Sequence, residues 1–387
     1  MNPWKRKGMA WLALCLMAIP AIGAAAPLES GEPLPLTSPS AILAEASTGT
    51  VVFEKNADEK REVASVTKLM TLLIVLEELE AGTIKLEDSV TISKTAAAMP
   101  GSQALLDAGA AYPLETLLRS TIIASANDSA VALAEYIAGS EAAFVERMNQ
   151  RAKELGMKDT CYVNCTGYPK EGQYTTARDV MKLSCQMSLH PAYHEYASIW
   201  MESLTHPSGR ITDLTNTNRL VRFYEGCDGF KTGSTDAAKY CLSATAQRNG
   251  LRLIAIVLGT PQSQTRFNEA RSMLDYGFAN YRRVQVAKKG QQVGHAVQVK
   301  RGAAETVEAV LGNGLSLLLR TGQENQLTLE AELPDSVTAP IAAGDTLGTA
   351  RLLLSGSVIA KIPLVAASSV PLPGFLEGLT RIRNAWR

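Results

Sequence analysis

The stretch KYCLSATAQRNGLRLIAIVLG, residues 239–259, constrains the fold more than any other part of the chain. Two apolar runs meet at Asn249-Gly250, a dipeptide that accepts the positive φ angles of a tight two-residue turn. The pattern predicts antiparallel strands at 238–247 and 251–259. A second alternating stretch, SAILAEASTGTVVFEKN, turns around Ser47–Thr50 and predicts a hairpin over 40–55. Between these hairpins the period changes. Leu69, Leu72, Leu73, Leu76 and Leu79 recur at helical spacing over 66–81. Further helices are predicted at 114–124, 127–138, 141–155 and 176–188, then a strand at 227–232 and a last helix at 264–282. Asp128 and Glu141 stand near predicted helix starts, where anions suit the helix dipole. Strand, helices, then strands predict an α+β, three-layer α/β/α domain over 38–283.

The pattern shifts near 284. Short alternating stretches such as HAVQVK, LTLEAEL and VIAKIPLV follow, separated by Gly and Asp turns, and predict a small all-β domain over 284–367. Residues 368–387 close the sequence with an amphipathic segment. Phe375, Leu379, Ile382 and Trp386 share one helical face, and Arg381, Arg383 and Arg387 outnumber Glu377. Such a stripe fits docking on the β-domain. The basic residues and terminal Trp fit an interfacial membrane anchor over 371–387 better.

The N-terminus is an export signal. Lys5, Arg6 and Lys7 precede an uncharged run over 8–23 and then Ala24, Ala25 and Ala26, with cleavage expected within 23–26. An uncleaved anchor is the alternative, but Pro20 and the small residues favour cleavage. Residues 27–37, with three prolines, read as an extended lead-in. Removal of 1–26 takes the formal charge from 0 to −3 and leaves five cysteines: Cys161, Cys165, Cys185, Cys227 and Cys241. An odd number implies at least one free thiol or an intermolecular bond. Near-zero charge without a basic stripe argues against nucleic acid as a partner. Cys161 and Cys165, with His190 and His194, are too loosely spaced for a zinc site, and no HExxH is present. Neither a metal nor a cofactor is expected.

Three short motifs occur in order: Ser65-Val66-Thr67-Lys68, Ser125-Ala126-Asn127 and Lys231-Thr232-Gly233. Each alone has a bland explanation. Ser65 could cap a helix, Ser125 and Asn127 could cap the next, and Lys231 could be solvated. Together they make chemical sense. A serine hydroxyl needs an adjacent base, and Lys68 lies one turn after Ser65 on the same face. Burial and a nearby cation such as Lys231 would keep that amine neutral. Backbone N–H groups near Ser65 would face a developing oxyanion. Ser125 could relay a proton, Asn127 could hold a substrate amide, and Lys231 and Thr232 could bind a carboxylate. Gly233 would let substrate lie close to its strand.

The trio resembles the penicillin-recognising serine enzymes. ASVTKLMT, SANDSAVALAEYIAG, FVERMNQRAKELGM, CDGFKTGST and TRFNEAR bring the resemblance closer to the low-molecular-mass D-alanyl-D-alanine carboxypeptidases of the penicillin-binding protein 5 type, over roughly 38–387. The resemblance implies a β-lactamase/transpeptidase-like catalytic domain and an acyl-enzyme on Ser65. It implies Lys68 as proton acceptor, Ser125 as its assistant and Lys231 on the substrate carboxylate. The oxyanion hole would use the N–H groups of Ser65 and Ser234, and Arg266 would be a second carboxylate anchor. The implied substrates are peptidoglycan stem peptides ending in D-Ala-D-Ala, with β-lactams as covalent inhibitors. The enzyme would work outside the cell, at the outer face of the cytoplasmic membrane.

Three other readings compete. A β-lactamase needs a glutamate for deacylation, yet Glu146-Arg147-Met148-Asn149 has the wrong spacing and the second motif is Ser-Ala-Asn, so penicillin hydrolysis should be slow. A DD-endopeptidase would use the same chemistry on crosslinked peptides. A non-catalytic wall-binding protein would have no reason to retain Ser65, Lys68, Ser125, Asn127 and Lys231.

Overall fold

A computed structural model describes residues 34–374. The export signal, the start of the lead-in and residues 375–387 of the tail lie outside the described residues.

The centre is a five-stranded antiparallel sheet. Its strands are β1 (Ser40–Glu45), β2 (Val51–Lys55), β3 (Cys227–Thr235), β4 (Lys239–Arg248) and β5 (Leu251–Thr260), in the order β2-β1-β5-β4-β3. The β4–β5 turn falls at Asn249 and Gly250, with φ of 48° and 78°. The two residues bridge Arg248 to Leu251, as the dipeptide predicts.

Alternate side chains of β1 and β5 enter two different cores. Ile42, Ala44, Ile254, Ile256 and Leu258 join one face; Ala41, Leu43, Leu253, Ala255 and Val257 join the other. A two-residue side-chain period makes that division automatic, and it demands a layer on each side. On the first face lie α1 (Lys68–Glu80), α2 (Leu114–Ile123), α3 (Asn127–Ala138), α4 (Glu141–Glu154) and α5 (Ala177–Met187). α6 (Ser263–Asn280) covers the second through Phe267, Met273 and Leu274. At Gly277 a Cβ would sit 2.4 Å from Leu253 Cδ1, so glycine lets α6 lie close on the sheet. The result is the three-layer α+β domain read from the sequence.

Every residue of α1 from Lys68 to Leu76 is buried. A helix apolar all round has to run through the middle of its layer, and that position fixes the chemistry at its N-terminus. α1 begins two residues later than predicted, because Ala64–Thr67 form a 3₁₀ turn ahead of it. Ser65 lies in that turn.

Several short elements carry no strong period and were not predicted. They include hairpins Ser89–Thr91 with Ala111–Pro113 and Met201–Thr205 with Ile211–Thr215, and helices Lys94–Ala97, Pro191–Ala197 and Leu220–Phe223. Tyr281–Ala287 starts directly after α6, three residues before the composition shift, and the regular elements from there to Ala366 are strands and one short 3₁₀ turn. Val297, Leu311, Leu347, Ala350 and Leu364 form the core of this β-rich region. No helix among the described residues is long and apolar enough to cross a membrane.

Candidate active site

Ser65 follows Ala64, whose φ is +49°, a left-handed conformation that costs a residue with a Cβ about 1 kcal/mol. The kink turns Ser65 outward, and it is half-buried while Val66, Thr67 and Lys68 are buried. Two glycines make room for this turn. A Cβ on Gly233 would fall 2.3 Å from Val63 O and 3.0 Å from Ser65 N. One on Gly167 would fall on the Ala64 carbonyl. The edge strand β3 and the loop after Cys165 therefore close on Ser65 from two sides.

Lys68 Nζ has three partners: Ser65 Oγ at 2.9 Å, Asn127 Oδ1 at 2.6 Å and the Thr166 carbonyl at 2.7 Å. The side chain is fully buried, and no carboxylate among the described residues bonds to it. Burial pulls its pKa down from 10.5 to about 7, against a weak opposing pull from Cys165 and Asp128. A neutral amine has two N–H bonds and one lone pair. Two of the three partners are carbonyl oxygens, which only accept, so the lone pair falls to the Ser65 hydroxyl.

The second motif does not cap α3. Ala126 is the cap residue and makes no side-chain bond. Ser125 has φ +63°, and its hydroxyl is buried without a protein partner. Strain and an unpaired polar group at one residue are both costly, and such features gather at functional positions. The Asn127 carboxamide bridges Lys68 to the Pro100 carbonyl, at 2.6 Å on its Nδ2 side. Asp128 does more than face a helix dipole. It is fully buried and accepts the N–H groups of Ala104 and Leu106, pinning the 99–107 loop beside Asn127.

Lys231 is fully buried rather than solvated. Its one hydrogen-bond partner among the described residues is the Thr232 carbonyl at 3.4 Å. Burial first, then the charges of Lys68 and Arg266, hold its pKa well below the ordinary lysine value. Thr232 donates to Thr217 Oγ1 at 2.7 Å. Arg266, on α6, donates to the Gly233 carbonyl at 3.0 Å and to that of Cys241 at 3.3 Å, while its Nε is buried without a partner. Burial lowers its pKa to about 10. Ser234 is exposed at the strand's mouth. The described residues thus hold three basic side chains, Lys68, Lys231 and Arg266, within one buried neighbourhood, with no carboxylate bonded to any of them.

Thr166 and Thr217 were not singled out from the sequence. Thr166 acts through its backbone carbonyl, which no residue-type pattern reports. Thr71 donates to the Cys165 carbonyl at 2.6 Å, and Glu141 accepts from Cys165 N–H at 3.1 Å, so the loop bearing that carbonyl is tied down on both sides. The five described cysteines are free. His190 bonds Glu80 and His194 bonds Asp228, apart from Cys161 and Cys165.

Two family profiles match the chain: D-alanyl-D-alanine carboxypeptidase over residues 28–262, and the penicillin-binding protein 5 C-terminal domain over 281–372. D-alanyl-D-alanine carboxypeptidase DacF of Bacillus subtilis is 38% identical, over 90% of this chain and 89% of its own. DacC of Escherichia coli is 35% identical, over 86% and 84%. Among solved structures, penicillin-binding protein 5 from Haemophilus influenzae superposes with a TM-score of 0.75 at 28% identity, covering 88% of this chain and all of that one. The carboxypeptidase DacD from Francisella tularensis gives 0.71 at 29%, over 90% and 96%.

Proposed function

From the premise that the chain belongs to the D-alanyl-D-alanine carboxypeptidase family of serine peptidases, we propose how its own residues remove the terminal D-Ala from peptidoglycan stem peptides. The observation that carries the proposal is the partner set of Lys68 Nζ: two carbonyl acceptors and one hydroxyl.

Neutral Lys68 takes the Ser65 proton as Ser65 Oγ attacks the carbonyl of the penultimate D-Ala. The oxyanion that forms sits on the N–H groups of Ser65 and Ser234, a reading supported by the close approach of Gly233, next to Ser234, to Ser65 N. Lys68 returns the proton through Ser125 to the leaving nitrogen. The carbon–nitrogen bond breaks and D-Ala departs, leaving an ester on Ser65. Water then attacks the ester with the same base, and the shortened peptide and free Ser65 result.

The terminal carboxylate of the substrate binds among Lys231, Thr232 and Arg266: the two basic side chains supply positive charge, Thr232 a hydroxyl, and Asn127 holds the peptide amide. Burial, and then the charges of Lys68 and Arg266, push the Lys231 pKa down; an arriving carboxylate counters both and favours its ammonium form. β-Lactams present a carboxylate and a strained amide in the same relation, so they acylate Ser65. Deacylation of that adduct is slow in this reading, because Glu146 lines an outer groove with Glu77 and Arg151 instead of meeting Lys68.

Residues 1–26 would export the chain, and 371–387 would hold it at the outer face of the cytoplasmic membrane as a peripheral protein. The β-rich region would then keep the catalytic domain off the membrane. The direct test is release of D-Ala from a peptide ending in D-Ala-D-Ala. Release by the wild type and none by Ser65→Ala supports the mechanism; equal release by both refutes it.

A further inference from the structure

Beside Arg266 and Thr217 lies a pocket of about 560 Å³ that the reaction on D-Ala-D-Ala does not need. Alanine is a small leaving group, and its carboxylate is already matched by Lys231, Thr232 and Arg266. The pocket is lined by Trp200, Thr217, Arg219, Phe223, Ser263 and Arg266, together with two neighbours of Thr217. No carboxylate lines it.

Direct contacts link its wall to the reacting centre. Gly233 abuts Ser65 N, Arg266 donates to Gly233 O, and Thr217 bonds Thr232. The far wall combines charge with aromatic surface. Arg222 stacks on Trp200 and Phe223, at 5.4 and 5.6 Å from the ring centroids. Phe223 is 60% exposed, a large apolar surface left open at the pocket wall. Arg219 is exposed and has no ion-pair partner among the described acidic residues, and its charge is felt by Arg266. Arg266 itself is 8% exposed, with an Nε that has no partner. With Arg266 engaged by the main-chain carboxylate, the Arg219 guanidinium, without a counter-charge beside flat apolar surface, suits a short aliphatic chain ending in a carboxylate.

We propose that this pocket receives the side chain of the departing amino acid and selects leaving groups with a second negative charge. The enzyme then hydrolyses peptides in which the residue after the scissile D-Ala is acidic. Water is consumed and the free acidic amino acid is released, as with alanine. The inference rests on the carboxypeptidase reading above and extends it to the leaving-group side. Phe223 and Trp200 would flank the methylene stem, and Arg219 would pair with the terminal carboxylate.

The test uses three peptides that differ only in the last residue: D-Ala, D-Glu or its neutral isostere D-Gln. With wild-type protein, kcat/KM for the D-Glu peptide should exceed that for D-Gln by roughly five- to tenfold, the size of one charge-assisted contact at a partly exposed site. The D-Glu to D-Gln ratio should fall to near one in Arg219→Ala and stay mostly intact in Arg219→Lys. If D-Ala is released normally but the wild-type ratio is one or below, the pocket assignment is overturned and the carboxypeptidase reading stands. A ratio unchanged in Arg219→Ala overturns it as well. If none of the three peptides is cleaved, both readings fall together.

Discussion

Lys68 Nζ lies 2.9 Å from Ser65 Oγ, and the amine's other two hydrogen-bond partners are carbonyl oxygens. The geometry gives the neutral amine one use for its lone pair. Burial keeps the amine neutral by bringing its pKa to about 7. Acylation needs the deprotonated form, so its rate should rise with pH, reach half its maximum near pH 7 and level off above about pH 8. The second-order rate of penicillin acylation between pH 5 and 9 checks this. A rate that falls as pH rises through this range would mean that Lys68 acts protonated.

Gly233 is where β3 meets the turn of Ser65. A methyl group there would collide with Val63 O at 2.3 Å and crowd Ser65 N at 3.0 Å. Gly233→Ala should push the strand off the nucleophile and lower kcat/KM by about 100-fold, the usual effect of an ångström-scale misplacement. Its melting temperature should fall only modestly, since β3 is an edge strand with one paired neighbour. Wild-type kcat/KM in that variant would remove the steric argument for glycine.

Asp228 shows how the sheet edge is secured. Burial alone would raise its pKa, but His194 and Arg252 override that and hold it near 2, with Arg252 bidentate at 2.6 and 2.7 Å. A depressed carboxyl pKa adds stability that is complete above the unfolded value of 3.8 and is lost as pH falls toward 2. Asp228→Asn should cost about 1–2 kcal/mol at pH 7 and little at pH 2. Denaturant unfolding at the two pH values measures the difference; equal costs would refute the charge-based account.

The proposed membrane attachment through residues 371–387 makes a separate prediction. Deleting 371–387 should release the protein from membrane vesicles while leaving D-Ala release intact. Continued sedimentation of the truncated protein with vesicles would place the attachment elsewhere.

Much of this fold could be read from the sequence because its strongest patterns are local. Asn249-Gly250 dictates its own turn, and the leucines of α1 dictate its period. The motif residues were legible for the same reason: Ser65 and Lys68 are three positions apart, so a helical turn brings them together. Asn127 and Lys231 were proposed from the order and chemistry of the three motifs and Arg266 from family resemblance, and only the packed structure relates them to Lys68 and Gly233. The Thr166 carbonyl and the aromatic wall at Trp200 and Phe223 left no such trace. A backbone oxygen has no residue signature, and the wall joins short elements with no strong period. The burial of Lys231 was hidden too, since a lone lysine at a strand reads as a solvated one.

The account depends most on Ser65 as the covalent centre and Lys68 as its base. The most direct measurement is peptide mass mapping of the penicillin adduct in wild type, Ser65→Ala and Lys68→Ala. The account predicts one adduct, on the peptide containing Ser65, absent in Ser65→Ala and formed about 1,000-fold more slowly in Lys68→Ala. An adduct on any other residue, or an undiminished rate without Lys68, would contradict it.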